Sequence, residues 1–204
     1  MNIYAASEHQ HPNDVKSGPE ATEYTSNALK LFIESIDPQP KGQILDLGPA
    51  CHENIMYLAQ WIPKLYICDM FSRLVQCLHN KHPVHQIWRQ LDYPPNSFDG
   101  ILLWELADRL DGQEVGTLVK LCYTMLKPGG LITMIVSGEQ RESSVVNSFV
   151  IGQNLRVHVR PQSHLQLPLC GRQNRDVLDM MSPLTPVRSF VYRHGLREFL
   201  FKRD

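Results

Sequence analysis

The stretch Gln43-Ile44-Leu45-Asp46-Leu47-Gly48-Pro49-Ala50 carries the pattern on which the fold turns. An apolar run reaches an acid, then a glycine and a proline, as in a short buried strand that stops at a tight turn before a helix. In open α/β sheets ligands bind just beyond the carboxyl ends of the strands, where Asp46 and Gly48 would lie. An ordinary strand and turn would use the same residues, so the flanking segments must decide between the two.

Upstream, Ser17-Gly18-Pro19-Glu20 reads as a helix start, with a hydroxyl before the turn and proline and acid inside it. Ala21, Tyr24, Ala28, Leu31 and Phe32 continue at helical steps, and Asp37-Pro38-Gln39-Pro40 ends the helix. Downstream, Asn54–Trp61 reads as a short helix and Lys64–Cys68 as a second strand running into Asp69. A helix over Ser72–Leu78 follows. Gln86–Leu91 is expected to be a third strand ending at Asp92, and Phe98–Trp104 a fourth reaching Glu105.

Val115, Leu118, Val119, Cys122, Met125 and Leu126 form one apolar helical stripe, stopped by Lys127-Pro128-Gly129-Gly130. Leu131–Val136 is then a fully buried fifth strand. Asn174–Met181 reads as a short helix, and Val187–Tyr192 and Arg197–Lys202 as a hairpin around Gly195. Alternating strands and helices call for a mainly parallel sheet covered on both faces. One domain over residues 1–204 is expected, with 1–16 loosely attached and 137–186 as an insert.

Composition narrows the function classes. The chain has 204 residues, 43% apolar and 20% charged, as in ordinary globular proteins. No apolar run approaches a membrane span, and the first sixteen residues lack the apolar centre of a signal peptide, so a cytoplasmic location is expected. The net charge of −1 argues against a dedicated nucleic-acid binder. Residues 151–204 hold nine Lys/Arg against four Asp/Glu, and the preceding 150 hold eleven against seventeen. That asymmetry suits an acidic partner or, equally, two halves that attract within one fold. The five cysteines contain no C-x-x-C pair and read as reduced, mostly buried thiols. His79, His82 and His85 have a metal-like spacing, but Pro83 interrupts any helix that would align them, and no metal is expected.

Three strands are thus expected to end in an acid, at Asp46, Asp69 and Asp92, with Glu105 after a fourth. Carboxylates on one sheet edge can accept from a ribose diol or an amine, and Asp69 follows the glycine turn at about the twenty-residue separation of a ribose-binding acid. A dinucleotide site fits worse, because G-x-G-x-x-G is absent.

With Leu126-Lys127-Pro128-Gly129-Gly130 before the fifth strand and a closing hairpin, the chain from Tyr24 onward resembles the class I S-adenosylmethionine-dependent methyltransferases. The resemblance implies a Rossmann-like, mainly parallel seven-stranded sheet with helices on both faces and a C-terminal antiparallel hairpin. It implies S-adenosylmethionine as cofactor. Asp46, Gly48, Pro49 and Ala50 would then lie along the methionine portion, Asp69 would accept from the ribose hydroxyls, and Met70 would pack on the adenine. Asp92, flanked by Leu91 and Tyr93, would meet the adenine amino group, and Trp104 and Glu105 would line the floor near the sulfonium.

The family's loop is acid-x-Gly-x-Gly-x-Gly; Ala50 and His52 stand at the second and third glycines, and histidine there adds bulk. No catalytic residue is assigned; His52, His158 and His164 are candidate bases with an alternative reading as structural or solvent-facing histidines. The expected activity is methyl transfer to a small-molecule acceptor. Residues 137–186 and the N-terminal helix would form the acceptor pocket, and Arg156, Arg160, Arg172 and Arg175 are available for an acidic acceptor. The other reading is a methyltransferase-like binding or scaffold protein without catalysis.

Overall fold

The computed structural model describes residues 22–36, 42–137 and 144–204. The loosely attached terminus, the helix start at Ser17–Glu20 and the helix stop at Asp37–Pro40 lie outside the described residues.

Strand β2 (Gln43–Asp46) pairs in parallel with β3 (Lys64–Ile67) on one side and with β4 (Phe98–Trp104) on the other. Strand β5 (Leu126–Val136) continues the parallel set beside β4. The hairpin of β8 (Thr185–Val191) and β9 (Arg197–Lys202) adds antiparallel to β5 through β9, so the order is β3-β2-β4-β5-β9-β8. The tight turn of that hairpin bonds Tyr192 N–H to the Leu196 carbonyl at 2.9 Å and places Gly195 at φ +85°.

The main sheet therefore has six strands rather than seven. The expected third strand is a 3-10 segment, Val84–Leu91. Its buried residues are Ile87, Trp88 and Leu91, so they share one side of a helix. Strand alternation would instead have put Arg89 on the same face as Ile87 and Leu91, at the cost of burying an unpaired charge.

The two faces of the sheet carry separate cores. On one, Ile101, Leu103, Ile132 and Met134 meet Phe71 and Leu74 of α3 (Met70–His79), the stripe of α4 (Gly112–Met125), and Val177 of α5 (Asn174–Met180). On the other, Ile44, Leu102 and Ile135 meet Leu29 and Phe32 of α1 (Asn27–Ser35) and Leu58 of α2 (His52–Leu58). Asp111 caps α4 by accepting from Glu114 N–H at 2.9 Å, and the stripe Val115, Leu118, Val119, Cys122 and Met125 is buried as its spacing demands.

A second, antiparallel sheet covers the α1–α2 face. It has the order β1-β7-β6, from β1 (Glu23–Thr25), β6 (Val145–Ile151) and β7 (Arg156–Gln166). Tyr24 therefore lies in a strand, not in the first helix. Ser26 starts that helix instead, its Oγ accepting from Leu29 N–H at 3.1 Å, which leaves the residues before it free to pair with β7. Asn54 of α2 holds the edge of β6, donating to the Phe149 carbonyl at 2.9 Å and accepting from Ile151 N–H at 2.7 Å. All five cysteines are free thiols and four are buried. No helix among the described residues is long and apolar enough to cross a membrane.

Candidate functional site

Asp46 closes β2 with its side chain inside the protein, 5% exposed. Its Oδ1 accepts from Gly48 N–H at 2.9 Å and from the Trp104 indole N–H at 2.6 Å. Burial pushes the Asp46 carboxyl up to about 6, against the pull of those two donors. A β-carbon at Gly48 would stand 2.3 Å from Trp104 Cδ1, so only glycine lets the indole lie on the turn. Trp104, at the end of β4, adopts φ +51°, a left-handed conformation of the kind that clusters at functional sites. Its ring stacks on Phe149 of β6 with centroids 6.0 Å apart.

Asp69 follows β3, on the neighbouring strand. Its Oδ1 caps α3 by accepting from Ser72 N–H at 2.9 Å, and its Oδ2 accepts from Ser72 Oγ at 2.8 Å and from Ala50 N–H at 3.2 Å. The last bond ties the second acid to the turn that follows the first. Pro49 is half-buried and Ala50 exposed. Asp46, Gly48, Pro49, Ala50, Asp69 and Trp104 are thus brought together at the carboxyl edge of the sheet.

Other residues expected there are placed differently. Met70 is fully buried and Leu91 nearly so, both in the α3–α4 core, where their apolar side chains are covered by protein. Asp92 is exposed and follows the 3-10 segment rather than a strand. Tyr93 sits edge-on to Tyr66 and Phe98, with centroids 6.0 and 5.1 Å away. His52, His158 and His164 are exposed, and His158 lies 3.5 Å from Glu23. Among the described residues no three His, Cys, Asp or Glu side chains form a metal-binding group.

Glu105 is completely buried and belongs to a polar lock that the sequence reading missed. It pairs with Arg109 at 3.0 Å and accepts from Asn147 N–H of β6 at 2.7 Å. Arg109 also donates to the carbonyls of Val145 and Leu167, at 3.1 and 3.2 Å. Burial raises the Glu105 carboxyl, opposed chiefly by Arg109. Asp108 accepts from Ser137 N–H at 2.7 Å, and burial pushes it up to about 7. The four-residue spacing of Glu105 and Arg109 was the visible signal for this lock.

The four arginines considered for an acidic acceptor are all engaged within the chain. Arg156 pairs with Glu23, Arg160 with Glu53 at 2.7 Å and Arg175 with Asp179 at 3.8 Å, while Arg172 donates to the Ala107 carbonyl at 3.1 Å. The buried edge of the sheet is lined by acids instead.

No protein-family model matches the sequence, and no curated protein matches it. Solved structures do. A S-adenosylmethionine-dependent methyltransferase from Clostridium acetobutylicum superposes with a TM-score of 0.55 over 85% of this chain and 91% of its own, at 12% identity. The fold is that of the class I methyltransferases. A second such enzyme, from Methanosarcina mazei, matches with a TM-score of 0.53 at 12% identity, over 81% of this chain and 93% of its own. The N-methyltransferase NodS from Bradyrhizobium japonicum matches with a TM-score of 0.52 at 16% identity, over 86% of this chain and 92% of its own.

Proposed function

We propose that the chain is a methyltransferase that binds S-adenosylmethionine at the turn after β2 and methylates a small molecule. The acceptor would sit between the carboxyl edge of the sheet, α1 and the β6–β7 hairpin. The observation that carries this reading is the bond from Ala50 N–H to Asp69, which joins two strand-end acids and the glycine turn into one unit.

The residues of that unit fit the cofactor. Asp69 is only partly buried and, of its roughly four acceptor sites, keeps about one for a ribose hydroxyl beyond the three used on Ser72 and Ala50. The space over Gly48 is taken by the Trp104 indole, whose N–H Asp46 accepts, so a cofactor group lying on this turn would displace that indole. When bound, S-adenosylmethionine supplies an electrophilic methyl group. The chain's own part is alignment and exclusion of water, which is where methyl transfer gains most of its rate. Phe149 and Trp104 form an apolar wall, and the Glu105–Arg109 lock holds the β6–β7 hairpin over the sheet edge. Five free thiols accord with a reducing, cytoplasmic setting.

A second reading also rests on Trp104. Because its indole covers Gly48 and occupies Asp46, the same fold could serve as a binding or scaffold protein without catalysis. Calorimetric titration with S-adenosylmethionine and S-adenosylhomocysteine separates the two. The enzyme reading predicts saturable binding of both, weakened at least roughly tenfold in Asp69→Ala, the cost of one charge-assisted hydrogen bond. Absence of binding to either ligand would leave only the second.

A further inference from the structure

Trp104 sits where a ligand on the turn after β2 would have to lie. Its indole presses on Gly48 so closely that even an added β-carbon would collide with Cδ1 and Nε1 of the ring. A β-carbon is the smallest group that could be placed there, so nothing larger fits while the ring stays. The indole N–H also donates to Asp46 Oδ1 at 2.6 Å, the same oxygen that accepts from Gly48 N–H. Space and acceptor are both taken.

The chain around the indole aims it. Trp104 ends β4 with a left-handed backbone, φ +51°, where the register with β5 slips between Leu102 and Trp104. Irregularities of this kind beside a site re-aim a side chain, and a left-handed tryptophan stores strain. The backbone on either side is fixed. The Leu102 carbonyl accepts from Leu47 N–H at 3.0 Å, and Glu105 is held by Arg109 and Asn147. What is left to move is the side chain. The void that the ring borders with Thr133 and Glu198 is only about 10 Å³, room for about one water, so the indole cannot withdraw into the core. Its way out is the carboxyl edge of the sheet, where Pro49 is half-buried and Ala50 exposed.

We propose that Trp104 is an autoinhibitory plug: its indole and the cofactor compete for one place, and the chain binds cofactor only with the indole swung out. This rests on the methyltransferase reading above. The closed form is held by the bond to Asp46, by the stack on Phe149 and by burial of a ring only 4% exposed. Opening does not strand Asp46. Its bond from Gly48 N–H stays, and the ammonium at the methionine end of the cofactor can replace the indole as donor. Phe149 is then left as the apolar wall. The apparent affinity for cofactor is lowered by the fraction of chains that are open, so the closed form sets the cofactor level at which the site fills.

Calorimetric titration of S-adenosylhomocysteine into the full chain and two variants tests the plug. Trp104→Ala removes the ring. Trp104→Phe keeps a ring that can stack on Phe149 but has no N–H, so one variant stays informative if the other does not fold. Both should bind more tightly than the wild-type chain, Trp104→Ala by roughly tenfold or more, as expected if about 90% of wild-type chains are closed. Loss of a ring that only lined the bound cofactor would weaken binding instead. Wild-type binding that is unchanged or weakened in the folded variants puts the indole outside the ligand's place and overturns the plug, while the methyltransferase reading stands. If neither the wild-type chain nor a folded variant binds, it is that reading that falls.

Discussion

Asp108 is the buried acid whose titration should be most visible in solution. Its carboxyl titrates at about 7 in the folded chain against 3.8 for the ordinary group, because burial outweighs the Ser137 N–H bond and the nearby arginines. The folded state therefore holds this proton more tightly than the unfolded one, and stability should fall as pH rises from about 4 to about 7. Below that window both states are protonated and the contribution is flat. Asp108→Asn cannot ionise yet keeps an oxygen for Ser137. Urea unfolding near pH 4.5 and pH 7.5 should show a shallower decline in the variant, by up to a few kcal/mol. An identical pH dependence in both chains would mean that Asp108 is not buried as a charge. At this scale the ends of three strands were readable: Asp46 closes β2, Asp69 follows β3 and Trp104 closes β4, whereas Asp92 follows a 3-10 segment. Asn54 was not, because its partners Phe149 and Ile151 lie 95 and 97 residues away along the chain.

Among the elements, the β6–β7 hairpin has the most informative attachment. Its backbone is held from below by Arg109, which reaches the Val145 and Leu167 carbonyls while paired to Glu105, and from the side by Asn54. Removing one partner of a buried pair strands the other charge, at a cost of about 3–5 kcal/mol. Arg109→Met should therefore destabilise the chain by that order and raise amide hydrogen exchange first in residues 145–166. Uniform loss of protection across the main sheet instead would show that the lock is not specific to the hairpin. The element misread from sequence, Val84–Leu91, has a simple cause. Gln86-Ile87-Trp88-Arg89-Gln90-Leu91 is too short for its period to separate strand from helix, and only its buried set of Ile87, Trp88 and Leu91 resolves it. The long apolar strands and the stripe of α4 carried no such ambiguity.

For the molecule as a whole, the order of strands and helices was legible because β2, β3 and β4 each lead into a helical segment and end at a turn or an acid. The second sheet was not. Its β1 has three residues, too few to show alternation, and its β6 and β7 pair across a stretch broken by Pro161. That sheet places Phe149 against Trp104 and so helps to build the site at the centre of the functional reading. Nuclear magnetic resonance of the isotope-labelled chain, titrated with S-adenosylhomocysteine, tests that reading at the atoms concerned. The indole N–H of Trp104, bonded at 2.6 Å to Asp46, should shift together with the backbone amides of Gly48, Ala50 and Asp69, while those of β8 stay in place. An unchanged spectrum at saturating ligand, or shifts confined to residues away from the turn after β2, would contradict it.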